Sequence, residues 1–323
     1  MKIAMLYASW EKFGESWSSP MGVRQELESR GHKISVYNLY HANGALHSKQ
    51  KIRTYSNEGL NTLYADVRAG YQPDGIILFD YGVFDSQILG KSVLPNIPWI
   101  LEMGDLPQSA RMHATKINKF HAGFGPDAEA IEYFNRAGYN CKWITHWADE
   151  RIFYPRDIKP IYDCVSTCGG RKHYKDGSNI TEIISKSIGA RFNNERYFFG
   201  DAHAERLHLG KIVFQASQWA EITRRIFEGM ACKRMVLTDR LPENTRLQEL
   251  FIDGQDIVYY DSPQDAIDKI NYYSSHDDER EVIANNGFQK VMQHHTCKHR
   301  VDSILEILQE TKITLTTSLN YTC

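Results

Sequence analysis

The sequence predicts an α/β protein built from two doubly wound, parallel-sheet domains. Three observations carry that expectation. Apolar strand-like runs and helical patterns alternate from KIAMLYA to CKWITHW, and such alternation calls for crossover helices between parallel strands. The pattern restarts at YDCVSTCGG, just past the proline-bearing joint YPRDIKP. A chain of 323 residues also has room for two domains of ordinary size.

In the first half, KIAMLYA reads as a buried strand and MGVRQELESRG as a helix ended by Gly31. HKISVYNLY is the second strand, and NEGLNTLYADVRAG a helix ending at Gly70. DGIILFDYG and IPWILEMGD are further strands, with a short helical piece near Ser86 to Lys91 between them. Ala128 to Ala137 forms another helix, capped near Gly138, before the strand CKWITHW. In the second half, helix SNITEIISKSIG, strand RYFFGD, strand KIVFQA, a helix over RRIFEGMA and strand MVLTD follow in order. No G-x-G-x-x-G follows the first strand, which argues against a nicotinamide enzyme.

Hydrophobic residues at 42% and charged residues at 24% fit a soluble globular protein. No run approaches the roughly 20 apolar residues of a membrane span, and MKIAMLYASWEKF is too polar for a signal peptide. The expected location is the cytoplasm, or a host's cytoplasm if the chain is phage-encoded. Six cysteines without C-x-x-C spacing suggest neither zinc nor a disulfide framework. His295 and His299 could chelate if they shared one helix, but a plain helix surface is the favoured reading. A net charge of −2 gives no global pull towards nucleic acid. Its distribution is uneven: Arg30, Lys33, Lys49, Lys51 and Arg53 form one acid-free run, and Arg111, Lys116 and Lys119 another.

The most informative stretch is Lys211 to Asp239. A helix there starts after Thr223, a residue suited to cap a first turn. Ile226, Phe227, Met230 and Ala231 would face a sheet. Arg224 and Arg225 then occupy the first turn, with Glu228 one turn on. Free amides, helix dipole and guanidinium charge together favour phosphate oxygens. A carboxylate one turn further can accept two hydrogen bonds from a diol such as ribose. Diphosphate plus ribose describes a sugar nucleotide.

RRIFEGMAC followed by MVLTD resembles the signature of CgeB-like glycosyltransferases, relatives of the family 4 retaining enzymes of the GT-B fold. The run from LFIDGQDIVYY to HHTCKHR resembles that family's closing strand, helix and helix, and ITHWADERIFYP its hinge. These matches cover most of residues 144 to 310. The resemblance implies an N-terminal acceptor domain over 1–155 and a donor domain over 156–295. It also implies a helix over 296–310 crossing back to the first domain, with a tail over 311–323. GGRKHYKDG looks like the family's loop of Gly170, Arg171 and Lys175, with Lys172 a rival, where cations neutralise the departing diphosphate. With those cations and Arg224 in place, no divalent metal is required, and no cofactor beyond the donor, a UDP-sugar by base rate. EMGDLP resembles the place of an acidic or histidine side chain beside the donor sugar, which makes Asp105, then Glu102, catalytic candidates.

One departure from the family is plain. Its Glu-x7-Glu pair is met at the second place by Glu228, but Ala220 stands at the first, with Glu221 one residue out of register. A second is Lys233-Arg234 where a glycine usually ends the helix, so a different C-cap is expected. Gly200 and Ser217, at strand ends, are positional candidates for the nucleobase. Trp10, Phe13 and Trp17 follow the first strand and could stack on a sugar or base, or pack as a lid. With Lys49, Lys51 and Arg53 they suggest an anionic acceptor, either a surface glycan or a hydroxymethylated DNA base of the phage type. A sugar-nucleotide epimerase of the same fold and a non-catalytic nucleotide-sugar-binding protein are the alternatives.

Overall fold

The computed structural model describes residues 1–7, 19–39, 58–80, 90–106, 108–168, 173–175, 177–195 and 198–320. It divides into two compact units, residues 1–144 with 300–323, and residues 145–299.

The first unit contains β1 (Lys2–Tyr7), α1 (Ser19–Ser29), β2 (Lys33–Asn38), α2 (Glu58–Arg68) and β3 (Gly75–Asp80). It continues with β4 (Trp99–Met103), α3 (Ala110–Ala114), β5 (Ala122–Gly125), α4 (Ala128–Arg136) and β6 (Cys141–Trp143). Its strands lie in the order β2-β1-β3-β4-β5-β6, every pairing parallel. Both faces of a parallel sheet are covered, so its strands read as continuous apolar runs. Ile3 to Tyr7 are all buried, and Trp99 is wholly enclosed against Phe120, edge to face at 6.1 Å.

The second unit contains β7 (Tyr162–Ser166), α5 (Ile180–Ile188), β8 (Phe192–Asn194), α6 (Gly200–His208), β9 (Gly210–Gln215) and α7 (Arg224–Ala231). Then come β10 (Met235–Asp239), α8 (Leu247–Leu250), β11 (Val258–Tyr260), α9 (Pro263–Ser275) and α10 (Asp277–His294). The strand order β11-β10-β9-β7-β8 is again all parallel. The order reverses between β7 and β9, and ligands in such sheets gather beyond the carboxyl ends at that switch point. The closing helix, α11 (Cys297–Asn320), belongs to the first unit from Arg300 onward. No helix among the described residues is long and apolar enough to cross a membrane.

Three local readings change. The predicted strand RYFFGD is not one over its described residues, 198–201: a strand lies earlier, at Phe192–Asn194, and Gly200-Asp201 opens α6. Two adjacent phenylalanines mimic strand propensity, yet Phe199 is 46% exposed and occupies the N-cap position of α6 without a side-chain capping bond. The short strand AGFG, β5, went unread because two of its four residues are glycine. A Cβ on Gly123 would come within 2.8 Å of Ile117 and 3.1 Å of Met103, so a larger residue would not fit. His295 and His299 do not share a helix, since α10 ends at His294 and α11 starts at Cys297. His299 Nδ1 instead lies 2.9 Å from the Thr296 hydroxyl.

The end of α7 shows what replaces the family's glycine. Lys233 N–H donates to Met230 O at 2.8 Å and Arg234 N–H to Gly229 O at 3.1 Å, the paired bonds of a Schellman motif. Lys233 therefore sits left-handed, at φ 55°. That conformation strains any residue with a Cβ. Lys233→Gly is expected to raise unfolding stability by about 1 kcal/mol, read as a higher denaturant midpoint; a lower midpoint would contradict the strain argument.

Candidate functional site

The candidate site lies in the second unit, at the carboxyl ends of β7, β9 and β10. Residues Ile226, Phe227, Met230 and Ala231 pack α7 onto the sheet, each 1% exposed or less. Gly229 lets the helix approach closely, since a Cβ there would lie 2.9 Å from Val236. This packing fixes the first turn of α7 beside the switch point. Arg224 and Arg225 are its first two residues, both half-buried. Thr223 occupies the N-cap position in extended conformation but makes no capping bond. Its hydroxyl is buried and has no hydrogen-bond partner among the described residues.

Glu228 is 4% exposed, so it is an interior carboxylate and not a helix-surface one. A buried carboxylate requires partners. Arg224 Nη2 lies 3.2 Å from Oε1, and His203 Nδ1 lies 3.8 Å from Oε2. His203 comes from α6, the helix that the sequence concealed behind an apparent strand. Its Nε2 is 3.3 Å from Thr167 Oγ1, just past the end of β7. Burial, with Arg225 and Arg224 assisting, holds the imidazole below its usual pKa, and Glu228 opposes this only in part.

A second buried carboxylate ties the surrounding loops together. Asp239, the last residue of β10 and 1% exposed, accepts the Ser217 N–H at 3.2 Å and the Thr238 hydroxyl at 3.1 Å. His173 Nε2 lies 3.3 Å from its other oxygen. Ser217 in turn accepts the Glu221 N–H at 2.8 Å. One carboxylate thus links the segment after β7, the segment after β9 and the approach to α7. Ala220, within that approach, is left-handed at φ 54°. Asp239 was legible as a strand end; only the fold brings His173 and Ser217 to it.

The remaining candidates fall as follows. Lys175 is exposed, its ammonium 5.8 Å from the centre of the Tyr174 ring. Gly200 is the first residue of α6, not the end of a strand. In the first unit, Glu102 is 6% exposed within β4, between Phe79 and Phe124 of the neighbouring strands. Asp105 is exposed just beyond the end of β4, at φ 53°, a conformation aspartate tolerates better than most residues. Its carbonyl accepts the Ser109 N–H at 3.0 Å. Gly170, Arg171, Lys172, Trp10, Phe13, Trp17, Lys49, Lys51 and Arg53 lie outside the described residues. Among the described residues, no three His, Cys, Asp or Glu side chains are grouped to hold a metal ion.

Comparison with known proteins bears on the fold. Residues 158–306 match the model of a family described as glycosyl transferase-like. No curated protein matches the chain in sequence. Among solved structures, a glycosyltransferase from Rickettsia africae superposes with a TM-score of 0.68 at 13% identity, covering 96% of this chain and 98% of that one. The fold is GT-B. Anabaena HepE, solved in complex with UDP-glucose, is a second GT-B likeness, with a TM-score of 0.60, 14% identity and coverage of 98% and 100%. A third is an α-glucosyltransferase in complex with UDP and a 13-mer DNA, with a TM-score of 0.64, 12% identity and coverage of 96% and 100%. In GT-B terms, each unit supplies one Rossmann-like sheet. The family match spans β7 to the early turns of α11, and so includes α7, Glu228, His203 and Asp239.

Proposed function

We propose that the protein is a glycosyltransferase that moves a sugar from a nucleoside-diphosphate sugar to a hydroxyl acceptor. The observation that carries this reading is Glu228, buried one turn inside a helix that opens with Arg224 and Arg225 at the switch point. Glu228 accepts the ribose hydroxyls, and the first turn of α7 with Arg224 holds the diphosphate. The bond from the sugar's anomeric carbon to the β-phosphate oxygen breaks, and a bond from that carbon to the acceptor oxygen forms. Negative charge grows on the departing diphosphate, where α7, Arg224 and Lys175, with Arg171 or Lys172, stabilise it.

The donor in this reading is a UDP-sugar, by analogy with HepE and the α-glucosyltransferase, whose structures hold UDP-glucose and UDP. Retention of configuration follows from the resemblance of RRIFEGMAC to CgeB-like and family 4 enzymes. The leaving phosphate then takes the acceptor proton, and Asp105 or Glu102 is the acidic side chain that the resemblance implies for the reaction. With cations at the diphosphate, the reaction needs no metal. The acid-free basic run that includes Lys49, Lys51 and Arg53 favours an anionic acceptor, and the DNA-bound α-glucosyltransferase makes DNA one such candidate.

Thermal shift against uridine, guanosine, adenosine and cytidine diphosphates tests the donor site. A ligand at 100 times its Kd stabilises native protein by about 2.7 kcal/mol. One nucleotide is expected to raise Tm, with the rise lost in Arg224→Ala. No shift with any nucleotide would overturn the assignment. Incubation with the matching sugar nucleotide then separates transfer, seen as slow hydrolysis to the nucleoside diphosphate, from epimerisation or mere binding.

A further inference from the structure

From Gly210 to Cys232, Trp219 alone is exposed, with 44% of its surface open. A large aromatic ring gains by burial, so something must hold this one outward. Its turn is tied at both ends. Asp239 accepts the Ser217 N–H at 3.2 Å, and Ser217 Oγ accepts the Glu221 N–H at 2.8 Å. The chain therefore reverses between Ser217 and Glu221, with Trp219 midway, and Ala220 is left-handed inside the same turn at φ 54°. Ile222 and Thr223, both buried, then lead into α7.

We infer that Trp219 is a specificity-determining residue whose indole face stacks on the C–H face of the sugar being transferred. This rests on the donor-site reading above, in which Glu228 takes the ribose and the first turn of α7 the diphosphate. Those two points give the ligand a direction. Arg224 precedes Glu228 by about 6 Å along the helix axis, at 1.5 Å per residue. A sugar nucleotide runs in line from base to ribose to diphosphate to sugar, so the sugar continues past Arg224, off the N-terminus of α7. The turn carrying Trp219 joins that N-terminus to the end of β10. An indole face is electron-rich, and sugar C–H groups are polarised positive by their oxygens, so the contact is attractive. It needs a sugar with a run of C–H groups on one side, as a pyranose ring has. Ala220 beside it adds only a methyl, so the tip of the turn reads the ring's apolar face and not its separate hydroxyls.

Isothermal calorimetry on the full chain tests this with UDP against UDP-glucose, UDP-galactose and UDP-N-acetylglucosamine, GDP against GDP-mannose, and ADP against ADP-glucose. Trp219→Ala is expected to weaken the sugar nucleotide that wild-type protein binds by about fivefold. The matching diphosphate, which lacks the sugar, is expected to change by less than about twofold. Trp219→Phe keeps an aromatic face and should recover most of the loss; Trp219→Leu, apolar but without that face, should not. Equal weakening of both ligands, as stacking on the base or a disturbed turn would give, overturns the proposal. So does no weakening, full recovery by Trp219→Leu, or wild-type protein that binds a diphosphate but none of these sugar nucleotides. If wild-type protein binds no nucleotide, or Arg224→Ala and Glu228→Gln both leave diphosphate affinity intact, the donor-site reading itself falls and this inference with it.

Discussion

Replacing Glu228 by glutamine is expected to weaken nucleoside diphosphate binding by about 3 kcal/mol, roughly a hundredfold in Kd. Glutamine keeps the shape of the side chain and loses its charge. It also exchanges one acceptor oxygen for an NH2 group, so one ribose hydroxyl would meet a donor. Hydrogen bonds to a charged group contribute about 1.5–3 kcal/mol each, and two of them would be degraded. Calorimetry with the nucleotide that shifts Tm gives the number directly. An affinity within twofold of wild type would remove Glu228 from the site.

The second large effect is structural. Asp239→Ala is expected to lower unfolding stability by about 3 kcal/mol, because the Ser217 N–H and the Thr238 hydroxyl lose their buried acceptor. Leaving buried donors orphaned costs more than the bonds themselves were worth. Nucleotide binding should weaken in parallel, since the Ser217 segment leads into the first turn of α7. Asp239→Asn keeps one acceptor oxygen and should recover part of both losses. Denaturant unfolding of the two variants checks this, and a loss below about 0.5 kcal/mol in Asp239→Ala would show that the loops hold without their link.

Both residues show where reading the chain works and where it stops. The start of α7 at Thr223-Arg224 and its buried face were visible, because amphipathic spacing and a capping-type residue are local signals. So were the long apolar strands of both sheets. Glu228 was recognisable as a ligand candidate, yet its burial was not. His203 was missed because α6 has a weak apolar stripe and follows Phe198-Phe199, which look like a strand. No spacing rule joins residue 203 to residue 228; only the fold brings the two side chains within 3.8 Å. Thr223 is a capping residue by type and position, but its hydroxyl does not bond the helix. The end of α11 was equally unreadable. KITLTTSLN is rich in β-branched residues that disfavour helix, yet Thr314, Thr316 and Thr317 settle their hydroxyls on the carbonyls of Glu310, Lys312 and Ile313, each at 2.9 Å.

α11 also sets the order in which the chain can mature. The unit spanning 145–299 is continuous in sequence, whereas its companion joins residues 1–144 to a helix encoded after the whole of the other unit. Leu308 fills the space beside Gly75 at the start of β3, where a Cβ would come within 2.3 Å of it. Lys312 also reaches Asp74, at 2.5 Å. A ribosome that has finished the six-stranded sheet has yet to make the element that closes it. The unit spanning 145–299 can therefore reach its native state first during synthesis, although it emerges second, and the N-terminal unit must wait with an uncovered seam until α11 arrives.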